Sequence, residues 1–536
     1  MSGDLAALAL RRQARRLLAP WDRPGSPGAT LGLVRDGALV LHESAGAASL
    51  ELGVPIGADT GFRIASVSKQ FTCAAILLLA EEGRLSVEDD IRRWLPELPD
   101  LGARIGIDQL MRNCSGLRDM LELMRLGGTD LSHPVTPAQL MAAIGRQRGL
   151  NFPPGARFLY SNTGFMLLGR IVEAAAGEPL GDFLARRIFA PLGMTRTRHT
   201  PGLAEVVPGL ATGYLPQDDG FVRAQHGFPL GGEGGLVSCV EDLALWERNF
   251  ATGLVGGAWL PAALAARAHF TNGRLNLYAR GLEVTEHRGL RTENHGGLWP
   301  GYRTCFLRAP EPGLAVIAIA NHGGIDVHHL AHQLLDAALE GRPGLRPLPA
   351  VPPRPALDGL AGRWLDPGSG ATLDIALDAA GQPSATQHGL PFALVAAEDG
   401  RLVARRGIYP FALSLPEGDG LALETDAGTV TRLRRVATAP VLPEGLAGTY
   451  RCAELDTVWT LAPDGDGLAV QVRGPLTAAG PWPVQPIEGD CLRILTPATL
   501  FQGWVDARLA RDAAGRIAAI LVSGSRVRGL RFDRQG

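Results

Sequence analysis

Two apolar runs flank Asp36-Gly37 in "ATLGLVRDGALVLHE" (29–43). Short apolar runs around a turn-forming pair predict a β-hairpin. Residues 67–82 instead read as a helix with Gly83 as its stop, and "TGFMLLGRIVEAAA" (163–176) reads as a second, again followed by a glycine. Three strand-like runs follow, "LNLYARGLEV" (275–284), "YRTCFLRA" (302–309) and "LAVIAIAN" (314–321), then a helix in "DVHHLAHQLLDAALEG" (326–341). Helix, hairpin, helical middle, three strands and helix predict an α+β unit: one antiparallel sheet packed between helices.

The pattern changes at "RPGLRPLPAVPPRPAL" (342–357), a proline-dense stretch that predicts a stiff linker. Beyond it the chain echoes itself, with "LDGLAGRWLDPGSGATLDI" at 357–375 and "PEGLAGTYRCAELDTVWTL" at 443–461. Short alternating runs broken by DG, EDG, EGDG or DAAG turns predict two small antiparallel barrels or sandwiches. Three domains are expected, over 1–343, 344–437 and 438–536.

Composition narrows the partners. With 46% hydrophobic and 20% charged residues, a net charge of −2 and no basic tail, neither nucleic acid nor a membrane surface is expected. The amino end, "MSGDLAALALRRQARRLLAP", has arginines where a signal peptide's apolar core would continue. An amphipathic first helix and a cytoplasmic protein are therefore expected. The six cysteines never form C-x-x-C, which favours free thiols. His322, His328, His329 and His332 have no cysteine nearby and read as a solvated helix face rather than a metal site.

One basic residue breaks the composition. Lys69 is the single lysine among 52 basic residues; all others are arginine. Arginine keeps its proton in a protein, whereas a buried lysine can lose it. A position that needs a neutral amine is therefore one that arginine cannot take. Ser66, three residues earlier, falls at a predicted helix start, and a serine hydroxyl needs a neighbouring base to become a nucleophile.

Two further motifs accompany this pair: Tyr160-Ser161-Asn162 before a helix, and His295-Gly296-Gly297 between strand-like runs. Taken singly, Asn162 reads as a helix cap, Tyr160 as a half-buried ring and the glycines as a bulge. Taken together with Ser66-x-x-Lys69, in this order and at these separations, they resemble the penicillin-recognising serine hydrolases. That group comprises class C β-lactamases, D,D-peptidases and related esterases. "DQLMRNCSGL", "GGEGGLVSCVEDLALW" and "PGYRT" are similar to its other recurring stretches, with Asn113-Cys114 where His-Thr is usual.

The resemblance implies that Ser66 attacks a carbonyl to form an acyl-enzyme, with Lys69 and Tyr160 sharing proton transfer. It implies that Asn162 orients the substrate amide and that His295 supplies a hydrogen bond with tunable charge. The N–H groups of Ser66 and Leu298 would form the oxyanion hole, with Gly297 allowing close approach. Neither metal nor cofactor is implied.

A hydrolase unit followed by two small β domains is similar in plan to one branch, the bacterial D-aminopeptidases. That implies small peptide or amide substrates with an N-terminal D-residue, inhibition by β-lactams and a homodimer. Carboxypeptidase relatives carry an arginine where this chain has Glu283, and a glutamate there would attract an α-amine; Arg280, nearby, complicates that charge argument. The resemblance also implies a specificity loop reaching the cleft from the last β domain, at Thr496, Pro497, Ala498, Thr499, Leu500 and Phe501. This segment has no acid, Asp490 lies just upstream, and Leu500 and Phe501 are expected as an apolar lid. An esterase or D,D-peptidase/β-lactamase-like hydrolase on the same site is the alternative, ahead of a non-catalytic binding protein.

Overall fold

The computed structural model describes all residues except 1, 203, 349–356, 358, 405–410, 418–419, 426–427, 429, 437–439 and 498–502. The amino end forms helix α1 (Ser2–Leu18), and the hairpin follows as β1 (Ala29–Arg35) and β2 (Ala38–Ala45). Asp36 and Gly37 both take positive φ, as a two-residue turn between twisted strands requires. The helix α2 (Lys69–Glu81) and the helices α3 (Met120–Leu126) and α4 (Asn162–Ala176) make up part of the helical middle. Gly177, at φ +71°, ends the last of these.

The sheet is completed by β3 (Glu283–His287), β4 (Leu290–Trp299), β5 (Tyr302–Ala309) and β6 (Leu314–Ala320). Its order is β3-β4-β5-β6-β1-β2, antiparallel throughout. Helix α5 (Val327–Ala338) and α1 cover one face, sharing a core with Leu31, Leu33, Leu307 and Val316. The other face joins α2 and α4 in the largest core. The sheet thus lies between helical layers.

One expected strand is divided. Residues 275–284 form strand only at 275–276 and again from Glu283, with a tight turn between in which Tyr278 bridges back to Glu283 and Gly281 takes φ +73° against the Lys69 backbone. A side chain at 281 would lie 2.8 Å from the Lys69 carbonyl carbon, so glycine is required. Arg280 is drawn away to Asp108, 2.6 Å distant, which removes it from the charge argument around Glu283.

Two closed antiparallel barrels of eight strands follow, from Gly362–Leu365 to Val430–Arg435 and from Gly448–Cys452 to Leu530–Arg534. Trp364 and Tyr450 occupy matching places in the sequence echo and are buried in their respective cores. Much of the proline-dense stretch lies outside the described residues. No helix of the described residues is long and apolar enough to cross a membrane.

Candidate functional site

Ser66 stands in a tight helical turn, Ala65–Ser68, that runs directly into α2. Ala65 takes φ +47°, a left-handed conformation costing a residue with a β-carbon on the order of 1–3 kcal/mol. Strand β4 crosses behind this turn so closely that a side chain at Gly297 would run into the Ile64 carbonyl. The strained turn and the glycine together bring Ser66 and β4 to one cleft of about 550 Å³.

Lys69, one turn on, is fully buried. Its Nζ lies 3.0 Å from Ser66 Oγ, 3.0 Å from Asn162 Oδ1 and 2.5 Å from the Glu233 carbonyl. The two carbonyl oxygens only accept. A neutral amine has two N–H bonds to give them and one lone pair, which then faces the Ser66 hydroxyl. Burial pushes the amine down to about 7; the Glu233 charge opposes this shift and Arg526 assists it.

Tyr160 closes the same group, its ring centroid 5.0 Å from Lys69 Nζ. Its backbone is fixed from both sides by Asn113, which takes φ +51°. The Asn113 carbonyl accepts from Leu159 N at 2.9 Å and its Oδ1 from Ser161 N at 3.0 Å. Asn162 opens α4, donating its backbone N–H to Asp119 Oδ2 at 2.7 Å. Strand β3 stops pairing with β4 at Asn294, so residues 295–299, paired with β5 on one side and with Leu298 exposed, border the cleft on the other.

His295 departs from expectation. Its Nδ1 lies 2.6 Å from the Gly296 carbonyl and its Nε2 2.9 Å from Tyr278 Oη. The carbonyl can only accept, so Nδ1 carries the proton and Nε2 accepts from the tyrosine. Burial, aided by Lys69, pushes His295 down to about 3. It is a neutral ring with both nitrogens engaged, not a group of tunable charge.

Residues 11–339 match the beta-lactamase family. This chain belongs to that family. It is 30% identical to a D-aminopeptidase of Cereibacter sphaeroides over 484 residues, 85% of either chain. To a D-aminopeptidase of Brucella anthropi it is 28% identical over 530 residues, 95% of either chain. Among solved structures, a D-amino acid amidase from Ochrobactrum anthropi SV3, complexed with D-phenylalanine, is similar at 26% identity and a TM-score of 0.52. That match covers 62% of this chain and 99% of the amidase.

In this beta-lactamase-family cleft Glu283 is a lining residue, and it makes no ion pair among the described residues. It stays partly open to the cleft while protein surrounds it elsewhere, and that burial pushes its carboxyl up to about 8. The expected specificity loop is placed only in part. Thr496 is buried and accepts from Arg125 Nη1 at 2.5 Å, Pro497 is exposed, and neither is among the described lining residues. Ala498, Thr499, Leu500 and Phe501 lie outside the described residues.

The second barrel reaches the cleft through a different loop. Arg526, between its last two strands, lines the cleft with its guanidinium carbon 4.7 Å from the Tyr160 ring centroid. No sequence signal marked it. Glu233 was missed too: its carboxylate folds back onto Gly231 N at 3.0 Å beside the bond that its carbonyl accepts from Lys69. His328, expected on a solvated helix face, is half-buried and lines the cleft against Gly296, where small backbone leaves room for its ring.

Proposed function

We propose that this chain is a serine hydrolase releasing N-terminal D-amino acids from peptides and amides through an acyl-enzyme on Ser66. Ser66 Oγ attacks the carbonyl while the Lys69 lone pair takes its proton, and the oxyanion is held by the N–H groups of Ser66 and Leu298. Tyr160 passes a proton to the departing amine as the C–N bond breaks. Water then attacks the ester with the same groups as base, returning Ser66 and the free amino acid. Asn162, fixed at the start of α4, is the substrate's amide partner.

The observation that carries the choice of substrate is Glu283, a carboxyl in the cleft with no cation of its own among the described residues. A substrate α-ammonium beside it would restore its charge, whereas a substrate carboxylate would only favour its neutral form further and gain no ion pair from it. The names of the relatives, D-aminopeptidase and D-amino acid amidase, support the same reading. β-Lactams, as strained cyclic amides, are expected to acylate Ser66 and inhibit.

The test is hydrolysis of D-alanine p-nitroanilide beside its L-isomer and its N-acetylated form. Turnover of the free D-compound alone is expected. Glu283→Gln should raise KM for that compound about ten- to hundredfold, as loss of a charge-assisted hydrogen bond does. Cleavage of the acetylated form, or of simple esters alone, would instead indicate a broader esterase or β-lactamase-like hydrolase.

A further inference from the structure

A lysine that must lose its proton and a tyrosine that must give one up both gain from a fixed positive charge nearby. The third motif does not provide it, because His295 is held neutral between Tyr278 and the Gly296 carbonyl. We propose that Arg526 is the cation that acts on the reacting groups of this cleft: delivered by the second barrel, it favours the proton-accepting forms of Lys69 and Tyr160 and so couples that barrel to the chemistry. Arg303, which also lines the cleft, donates instead to the Trp299 and Tyr302 carbonyls. The inference rests on the acyl-enzyme reading of Ser66, though not on the choice of substrate.

The geometry is built rather than incidental. The guanidinium lies against the Tyr160 ring at 4.7 Å, within the range of cation–π attraction. Its loop is gripped from below by Glu122, a fully buried residue of α3. Glu122 Oε1 accepts from Ser525 N at 3.0 Å and from Ser525 Oγ at 3.2 Å, and its Oε2 accepts from Arg526 N at 2.5 Å. The Arg526 carbonyl accepts from Asn151 Nδ2 at 3.0 Å. Backbone contacts therefore hold the loop, leaving the side chain to act on the cleft.

Charges face Arg526 and Tyr160 from several elements. Lys69 comes from α2, Asp119 and Glu122 from the start of α3, Glu233 from the loop before residue 236, Tyr278, Glu283, His295 and Arg303 from the sheet side, and Asp326 and His328 from the start of α5. Among the described residues Asp119 is a countercharge to Arg526, 3.3 Å from its Nη1. Its carboxylate also accepts from the N–H groups of Leu121, Glu122 and Asn162. Asp119 therefore spreads its charge over four donors and offsets Arg526 only in part.

Below its pKa Lys69 holds an extra proton and has no lone pair to offer. A neighbouring cation disfavours that proton, so removing the cation must move the acid limb of the rate profile to higher pH. The experiment follows first-turnover release of p-nitrophenolate from p-nitrophenyl acetate against pH. The acetyl group carries no amine, so Glu283 and D-specificity do not enter. Arg526→Gln should move the acid limb up by about one unit, an approximately fivefold loss of acylation rate at pH 7 for an amine that starts near 7, and Arg526→Lys should bring it back. An unmoved limb in Arg526→Gln, or equal shifts in both variants, would overturn the proposal whatever happens to stability. Ser66→Ala, run alongside, should release no burst; a burst there would overturn the acyl-enzyme reading itself.

Discussion

The two barrels share one topology and hold different relations to the cleft. The first lends the cleft one apolar residue, Leu390, and meets the α+β unit at the ion pair between Arg274 and Glu424, 2.6 Å apart and partly exposed. It is tied more firmly to its sister barrel, through a buried set in which Thr372 donates to Asp506 at 2.7 Å and Arg493 to Asp374 at 2.7 Å. The second barrel shares its core with Leu123 and Leu126 of α3. Trp459 Nε1 donates to the Leu126 carbonyl, Arg118 reaches Glu454 at 2.6 Å, and Glu122 grips the loop carrying Arg526. The two barrels therefore repeat one scaffold with different contacts: among the described residues the second turns a charged loop residue, Arg526, towards the cleft, and the first an apolar one.

If the second barrel tunes chemistry that the α+β unit performs, losing the proposed base must outweigh any change in either barrel. Lys69→Arg is the largest expected effect. Arginine keeps the charge and supplies no lone pair, so acylation should fall by about 10²–10⁴-fold or more, with the circular dichroism spectrum unchanged. Near-normal turnover by Lys69→Arg would leave the lone lysine without its explanation and the comparison without its scale.

How far these relations could be read in advance depended on whether a residue type was rare or ordinary. The hairpin at Asp36-Gly37, the helices stopped by Gly83 and Gly177, and the echo around Trp364 and Tyr450 were legible, because turns and repeats impose residue types locally. Ser66, Lys69, Tyr160, Asn162 and His295 stood out because their chemistry needs those types at those spacings, and one cleft or its wall holds all five. The charge on His295 was not legible, since it depends on burial and on Tyr278, a partner far off in sequence. Arg526 was invisible for the opposite reason to Lys69: in a chain where nearly every basic residue is arginine, one more carries no mark. Gly281 illustrates a third limit, since its need for positive φ arises from the Lys69 backbone pressed against it.

A smaller effect probes the grip on the second barrel. Glu122 is fully buried, 3.0 Å from Arg125 Nη2 as well as from the Ser525 N–H. Glu122→Gln removes the carboxylate that faces Arg125 and sets an amide against donors. Breaking a buried pair from one side costs about 3–5 kcal/mol, which denaturant unfolding should register. The acid limb of the acylation profile should also rise, as in Arg526→Gln, because the loop loses its anchor. A stability loss with the limb unmoved would mean that Glu122 holds the barrel without holding its cation.

The smallest expected effect lies at the matching contact of the first barrel. Glu424 meets Arg274 across the boundary and Arg401 within its own barrel, each at 2.6 Å, with both arginines substantially exposed. Water screens such pairs, and the order of holding two long side chains offsets much of the attraction. Glu424→Gln should therefore cost about 0–1 kcal/mol and leave both the rate and the acid limb of acylation unchanged. A loss equal to that of Glu122→Gln, or a shifted limb, would mean that the first barrel also acts on the cleft. Their difference would then lie in distance from the reacting groups, not in which copy carries the role.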